Sequence, residues 1–128
     1  MAEREILFRG KRISNSKWVE GFMYSQHFPL GFRDDFYIRC YDTDYLVIPE
    51  TVGQYTGLTD KNGVRIFEGD IVDYISSDVL GNPKTGTIIV EDMTDYDTMI
   101  YLNHSDELQI IGNIHDNPDI LKGGGGNG

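Results

Sequence analysis

Two tight turns that lie close together constrain this chain more than any other feature of its sequence. Asp60-Lys61-Asn62-Gly63 ends in Asn-Gly, which favours a type I′ β-hairpin because both central residues of that turn need a positive φ. Glu68-Gly69-Asp70 predicts a second corner, since Gly69 can adopt a φ that other residues avoid. The β-prone run 71–75 follows at once. We therefore predict that the other strands are arranged around residues 47–74.

The hydrophobic pattern along the rest of the chain is that of strands. No window of about 11 residues places apolar residues at i, i+3, i+4 and i+7, as an amphipathic helix would. Instead, short runs of β-branched and aromatic residues alternate with Gly, Pro, Asn or Asp. We therefore predict an all-β, mainly β fold with few short helical turns. The candidate strands cover residues 4–9, 17–24, 36–41, 45–48, 51–56, 71–75, 85–91, 98–102 and 108–114.

Residues 49–56 allow two interpretations. Pro49 either opens one turn of helix or interrupts strand pairing, since proline has no backbone N–H to donate. We favour a strand over 51–56, because Thr and Val are stiff at χ1 and Gly53 weakens a helix. After the last strand, Asn117-Pro118-Asp119 predicts a capped helical turn.

The order of strands and turns predicts two lobes and a tail. Residues 1–56 form an N-terminal β lobe in this prediction, and Trp18, Phe22 and Tyr24 share one face of its long strand. We expect Trp18 to anchor the core of that lobe. Residues 57–122 form an SH3-like β-barrel, because four or five short antiparallel strands follow Gly69 with short links. Residues 123–128 form a flexible Gly-rich tail.

The formal net charge of −10 is unevenly distributed. Residues 1–39 hold seven basic and five acidic residues, whereas residues 40–128 hold four basic and sixteen acidic ones. The acidic body disfavours tight, non-specific nucleic-acid binding, which depends on Lys and Arg neutralising phosphates. The basic front end leaves such binding open for the N-terminal lobe.

Compartment and membrane association can also be predicted. No apolar run approaches the roughly 18 residues that a membrane helix needs. The stretch MAEREILFRGKR has no apolar core of the kind found in signal peptides. Cys40 is the only cysteine, which excludes an internal disulfide and suits a reducing compartment. We expect a cytoplasmic protein that does not bind membranes.

Four sequence blocks point to a known family. REILFRGKR, WVEGF, ETVGQYTGLTDKNGVRIFEGDIV and IIGNIHDNPDIL together span residues 4–121, and in these blocks the chain resembles the YopX family of bacteriophage and prophage proteins. The resemblance implies an intracellular phage or prophage protein that is mostly β, with an SH3-like C-terminal portion. It implies no catalytic residue and no activity. We take the following residues as its structural signature: Gly53, Gln54, Gly57, Asp60, Asn62, Gly63, Gly69, Asp70, Gly112 and Asn113.

The common catalytic, metal and cofactor patterns are missing from the sequence. His27, His104 and His115 are far apart and Cys40 stands alone, so no zinc-like spacing exists. The acidic run 91–97 lacks the glycine and the final glutamate of an EF-hand loop. Pro83 precedes Lys84 where a phosphate loop needs glycine, and no Gly-x-Ser-x-Gly elbow occurs. We therefore predict no catalytic, metal or cofactor-binding residue, no cofactor and no enzymatic activity.

Basic and aromatic side chains in the N-terminal lobe are the remaining candidates for a site. Arginines beside aromatic residues can clamp single-stranded nucleic acid, but an arginine over a tryptophan is also ordinary packing, and we favour the packing interpretation. The candidate nucleic-acid contacts are Arg9, Lys11, Arg12, Trp18, Arg33 and Arg39.

These observations favour a non-catalytic phage accessory protein that binds protein and associates with itself as a homo-oligomer. A host or phage protein is a further candidate partner. The alternatives are a nucleic-acid binder that uses the basic lobe, an acidic mimic of nucleic acid, and an enzyme with a pocket between the lobes.

Overall fold

A computed structural model describes residues 6–27, 34–91 and 96–120. Arg33, most of the acidic run 91–97 and the tail 123–128 lie outside the described residues. The chain divides into two compact units, Met1–Tyr55 and Thr56–Gly128. Strands dominate both units and form two antiparallel sheets, which confirms the all-β class.

The first unit is built on an antiparallel sheet with the strand order β4-β3-β2-β1-β5. A 3₁₀ turn over Pro49–Thr51 separates β4 from β5, and β5 continues past the boundary into the second unit. Both interpretations of residues 49–56 therefore hold in part, because one helical turn precedes a strand. The strands are β1 (Phe8–Lys11), β2 (Trp18–Gln26), β3 (Asp35–Cys40), β4 (Thr43–Val47) and β5 (Gly53–Thr59).

Small residues on the buried face of this sheet let its strands approach closely. Ile38 and Val47 are fully buried, and a Cβ on Gly10 would lie 3.1 Å from side-chain atoms of Val47. Gly21 is tighter still, because a Cβ there would lie 2.0 Å from the backbone oxygen of Arg39. Since side chains alternate between the two faces of a strand, the larger residues of β2 at even positions are turned to the opposite face.

The second unit has a three-stranded antiparallel sheet in the order β8-β7-β9. Its core consists of Ile66, Val72, Val90, Leu102 and Leu108, all of them buried. The SH3-like barrel that we predict for residues 57–122 stays a prediction. The elements of this unit, after the end of β5, are β6 (Arg65–Phe67), β7 (Asp70–Ser77), β8 (Pro83–Ile89), helix α1 (Tyr96–His104) and β9 (Glu107–Asn113).

The strand predicted over 98–102 is wrong, because these residues belong to helix α1. The topology explains the difference. Strands β8 and β9 both pair antiparallel with β7, so the chain must return along the length of β7 before β9 can begin. Thr98 and Leu102 are one helical turn apart and both are buried, with Leu102 in the core. Tertiary packing here overrides the β propensity of the local sequence.

The two glycine turns behave differently from each other. Gly69 has a φ of +97°, as we predict for a corner. Gly63 also has a positive φ, +82°, but Asn62 does not, so the type I′ turn is wrong. Instead, the N–H of Gly63 donates to the carbonyl of Asp60 and the N–H of Asp60 donates to the carbonyl of Val64. This arrangement matches a type I turn followed by a left-handed glycine.

Candidate protein-binding surfaces

One face of the first sheet exposes a row of aromatic side chains. Tyr24 pairs with Tyr37 across β2 and β3, and Tyr37 pairs with Leu46 across β3 and β4. In the next row, Phe22 pairs with Arg39, and Arg39 pairs with Asp44. All of these positions lie on the face opposite Ile38 and Val47. We call the following four side chains the aromatic face: Phe22, Tyr24, Tyr37 and Leu46.

The aromatic face is exposed and at the same time ordered. Phe22 is 68% exposed, and the rings of Tyr24 and Tyr37 stack at 5.1 Å with an interplanar angle of 13°. Arg39 Nη1 donates to both carboxylate oxygens of Asp44, at 3.1 and 3.2 Å. Partial burial, a hydrogen bond to Asp44 and the charge of that carboxylate raise the pKa of the Tyr24 hydroxyl. These contacts hold Tyr24, Tyr37 and the Arg39–Asp44 pair in place.

Tyr41 lies in the two-residue loop between β3 and β4 and is 97% exposed. Its φ is +58°, a conformation that costs a residue with a Cβ about 1–2 kcal/mol. Glycine is the usual residue at a first loop position with positive φ. An exposed aromatic side chain at such a position adds nothing to the core, so Tyr41 is a candidate for contact with a partner.

A groove of about 280 Å³ runs beside β4 and borders the aromatic face. Arg12 covers one wall, with its guanidinium carbon 4.4 Å from the ring centroid of Tyr45. Ile13 is half exposed and supplies apolar surface. We call this feature the β4 groove, and the residues that line it are Arg12, Ile13, Ser14, Asp44, Tyr45 and Leu46.

The loop of the β7–β8 hairpin in the second unit carries two solvent-exposed aliphatic side chains. Val79 is fully exposed and Leu80 is 83% exposed. Asp78 orders the loop around them, because its Oδ1 accepts the N–H groups of Leu80 and Asn82, both at 2.9 Å. The N–H of Asp78 donates in turn to the carbonyl of Asn82. We call residues 78–82 the hairpin tip.

Hydrogen bonds from the backbone of the tip also affect the pKa of Asp78. The bond from the N–H of Asn82 is the largest of several influences that lower the pKa of this carboxyl. Asp78 is therefore ionised at neutral pH and holds the loop as a charged acceptor.

A second groove, of about 330 Å³, lies on the sheet of the second unit. Polar side chains dominate it, and several are already engaged. The Thr87 hydroxyl donates to Asp73, and Lys61 Nζ lies 3.4 Å from Glu107. This arrangement is that of a solvated sheet face.

The structure brings together only part of the predicted nucleic-acid contacts. Arg9 and Lys11 both lie over the ring of Trp18, at 4.5 and 5.7 Å from its centroid. Trp18 is partly buried beneath them, and its role as an anchor of the N-terminal core stays a prediction. Arg12 contacts Tyr45 instead, Arg39 is paired with Asp44, and Arg33 lies outside the described residues.

The signature residues build turns and close approaches. Gly57, Gly63 and Gly69 all have positive φ. Gly53 and Gln54 pair with β1, and Asn62 donates its N–H to Asp60 Oδ1 at 2.8 Å. These residues support the turns and the strand pairing of the fold.

The remaining signature residues close the end of the sheet in the second unit. Asp70 Oδ2 accepts the N–H of Phe67 at 2.8 Å. A Cβ on Gly112 would lie 2.7 Å from Asn117 Oδ1. Asn113 Oδ1 accepts the N–H groups of His115 and Asp116.

Two further features concern metal ions and membranes. Across 6–27, 34–91 and 96–120, no three or more His, Cys, Asp or Glu side chains group closely enough to hold a metal ion. In the same stretches of chain, no helix has the length and apolar character needed to cross a membrane.

The exposed aromatic face and the hairpin tip were not predicted from the sequence. Strand alternation places Phe22 and Tyr24 on one face but does not say whether that face is exposed. Gly21, which precedes Phe22, is a further signal in the sequence. Gly21 suits the crowded buried side of a sheet, which sends its even-numbered neighbours to the exposed side. In Asp78-Val79-Leu80-Gly81-Asn82, the apolar pair inside a polar turn sequence is the signal for an exposed tip.

Comparisons with known proteins concern both the family and the fold. The family model described as YopX protein matches residues 7–122. The crystal structure of protein EF1440 from Enterococcus faecalis is similar over 93% of this chain and 99% of that chain, with 20% sequence identity and a TM-score of 0.45. No curated protein matches the chain significantly.

Proposed function

The chain belongs to the YopX family, and we propose that it is a non-catalytic protein-binding module that associates with copies of itself through its aromatic face. The observation that carries this proposal is the exposure of ordered aromatic side chains on that face. Phe22 is 68% exposed although it lies in the middle of a strand, and Tyr24 stacks on Tyr37 at 5.1 Å. Exposed aromatic residues and arginine are the residue types that dominate binding energy at protein interfaces.

Charge favours a protein partner over nucleic acid at this face. Arg39, the basic residue in the row of Phe22, is neutralised by Asp44 at 3.1 Å. A phosphate backbone would have to compete with that carboxylate. Both signs of charge are present, so a second copy can approach this face without like-charge repulsion.

Tyr41 supports the same proposal from another direction. Its strained φ of +58° and its 97% exposure indicate that the side chain has a role other than folding.

As part of the proposal, we place the protein in the cytoplasm of a host cell as a phage or prophage product. The half-buried free thiol of Cys40 fits a reducing compartment.

Sedimentation equilibrium of the purified chain from 1 to about 100 μM tests self-association. We expect the wild-type chain to form an oligomer in this range, and Phe22→Asp to raise the dissociation constant by about tenfold or more, the effect of a moderate hot spot. Val64→Asp is the matched control, because Val64 is also an exposed apolar residue but lies in the second unit. A wild-type chain that stays monomeric at the highest concentration would refute the proposal.

Nucleic-acid binding by the basic lobe is a second candidate, which one observation favours. Arg9 and Lys11 both lie over Trp18, so an indole and two cations share one small surface, as in single-strand binders. Titration with a single-stranded oligonucleotide at several salt concentrations tests it. We expect Arg9→Ala combined with Lys11→Ala to reduce the slope of log K against log salt by about 0.7 for each phosphate that the variant no longer neutralises. An unchanged slope would exclude this candidate.

The acidic residues of the second unit give less support to mimicry of nucleic acid. Asp60, Asp70 and Asp78 each accept backbone N–H groups. Their carboxylates are therefore used inside turns, and not as a regular row of surface charges.

A further inference from the structure

The hairpin tip has the features of a preformed hydrophobic anchor. Val79 and Leu80 are neighbours in sequence and almost completely exposed. Single exposed apolar residues are common on protein surfaces, but two adjacent ones at the end of a hairpin are less so. Nothing in the packing of the second unit requires them, since both lie beyond its core.

Order in the tip makes it suitable for binding. Asp78 accepts two backbone N–H groups, and Asn82 Nδ2 donates to its second carboxylate oxygen at 3.2 Å. The N–H of Gly81 donates to the carbonyl of Asp78, with a φ of +86° at the glycine. A loop that is already fixed loses little conformational entropy when it binds, so more of its apolar burial appears as affinity.

The β4 groove of the first unit is a receptor of matching size and chemistry. Its volume of about 280 Å³ has room for an aliphatic side chain together with part of its neighbour. Ile13, Tyr45 and Leu46 supply apolar contact surface. Leu46 also belongs to the aromatic face, so an occupant of the groove continues onto that face.

Charge at the two surfaces is complementary. Asp44 also lines the groove, but its carboxylate is paired with Arg39, so the guanidinium of Arg12 sets the charge that an occupant meets. Arg12 lies at the groove with its guanidinium over Tyr45, and Asp78 is ionised at the base of the tip. The second unit as a whole contains four basic and thirteen acidic residues. A cation at the rim therefore favours the approach of an acidic hairpin, and it disfavours basic partners.

We infer that the hairpin tip of one copy inserts Leu80 and Val79 into the β4 groove of a second copy, with Asp78 facing Arg12. This inference rests on the proposed self-association and names the segment that meets the first unit. The contact joins two different surfaces, so it is heterologous. Such contacts close into a pair or ring when the rotation allows, and otherwise extend into a chain of copies.

Cross-linking between two different cysteine variants tests the inference directly. Cys40→Ser serves as the background in all variants, because Cys40 is the only native cysteine. One preparation carries Leu80→Cys and the other carries Ile13→Cys. The two preparations are mixed under mild oxidation at concentrations where the chain self-associates. We expect the disulfide between the two different variants to form in at least about tenfold higher yield than the disulfide between two copies of the same variant.

Two controls distinguish this contact from random collision and from association through another surface. Val64→Cys in place of Leu80→Cys measures random collision with an exposed site, and Leu80→Asp measures whether association needs the tip. We expect Leu80→Asp to raise the dissociation constant at least tenfold. Equal cross-linking by Val64→Cys and Leu80→Cys, or no cross-link between Leu80→Cys and Ile13→Cys, would overturn the inference.

The proposed function and this inference fail in different ways. If the wild-type chain is monomeric in sedimentation, both are wrong. If it associates and Phe22→Asp weakens the association, while Leu80→Asp and the cysteine pair have no effect, the aromatic face remains the binding surface and only the tip-to-groove contact is wrong.

Discussion

Replacement of Asp60 should destabilise the second unit more than its position in a turn suggests. Asp60 is only 7% exposed, and its carboxylate accepts three backbone N–H groups. Oδ1 accepts those of Asn62 at 2.8 Å and Val64 at 3.0 Å. Oδ2 accepts that of Ile110, fifty residues away in β9, at 3.2 Å. One side chain therefore joins the turn before β6 to the edge of the sheet.

The expected magnitude follows from these three bonds. A hydrogen bond to a charged group contributes about 1.5–3 kcal/mol, and a buried donor left without a partner costs about 1–3 kcal/mol. The N–H groups of Asn62 and Val64 lie in an exposed turn and can find water in a variant, whereas that of Ile110 lies in a half-buried strand. We therefore expect Asp60→Ala to lower the free energy of unfolding by about 3–4 kcal/mol. Small domains have only about 5–15 kcal/mol in total.

Asp60→Asn separates the shape of the side chain from its charge. The amide oxygen can still accept from Asn62 and Val64, but the amide nitrogen cannot accept from Ile110. We expect a loss of about 1–2 kcal/mol, the lower end of the cost of one unpaired donor. Urea unfolding followed by far-UV circular dichroism measures all variants at constant m-value. Glu91→Ala is the control for removal of one exposed negative charge. A free energy of unfolding for Asp60→Ala within about 1 kcal/mol of wild type would refute the reasoning.

The same residue predicts a pH dependence. Burial by itself raises the pKa of Asp60, but the N–H groups of Val64, Ile110 and Asn62 outweigh it and lower the pKa below the ordinary value of 3.8. The unfolded chain then binds the proton more readily than the folded chain. The contribution of Asp60 is therefore complete above pH 3.8 and is lost as the pH falls through the lowered pKa of the folded state. Asp60→Asn should show a shallower loss of stability in acid than wild type.

Three glycine-related substitutions should have effects of different sign and size. Gly21→Ala should destabilise the first unit by about 3 kcal/mol or more, since a Cβ 2.0 Å from the backbone oxygen of Arg39 forces β2 and β3 apart. Urea unfolding followed by Trp18 fluorescence measures this loss. Gly112→Ala should cost only about 1–3 kcal/mol, because the atoms it meets belong to the side chains of Asn117 and Ile120, which can move; a loss as large as that of Gly21→Ala would contradict this comparison. Tyr41→Gly should stabilise the chain by about 0.5–1 kcal/mol in thermal unfolding, because relief of the positive φ of +58° exceeds the entropy cost of glycine, and a clear loss would show that Tyr41 contributes to folding.

Features that depend on a few neighbouring residues were predictable from the sequence. The corner at Gly69 follows from the conformational freedom of one residue, and its φ is +97°. Strand-forming runs such as 85–91 keep their character because stiff side chains suit an extended backbone. The family could be recognised for the same reason, since its matched blocks contain turn residues such as Gly63, Gly69 and Asp70, whose roles are local.

The candidate surfaces were less predictable. Alternation along β2 places Phe22 and Tyr24 together, but it does not say which face of the sheet is covered. That choice depends on Ile38 and Val47, which come from two other strands and are fully buried. The exposure of the aromatic face is therefore a property of the assembled sheet.

By itself the sequence determined the class of fold, the positions of the glycine corners and the family, because each of these depends on residues that are close together in the chain. Only the tertiary structure decided that residues 96–104 form a helix and that Asp60 binds the N–H of Ile110. It also decided that Phe22 and Tyr24 of β2 are exposed. The physical reason is that burial and hydrogen-bond partners are set by residues distant in sequence. A segment therefore adopts the local conformation that buries its apolar side chains and pairs its polar groups with those residues.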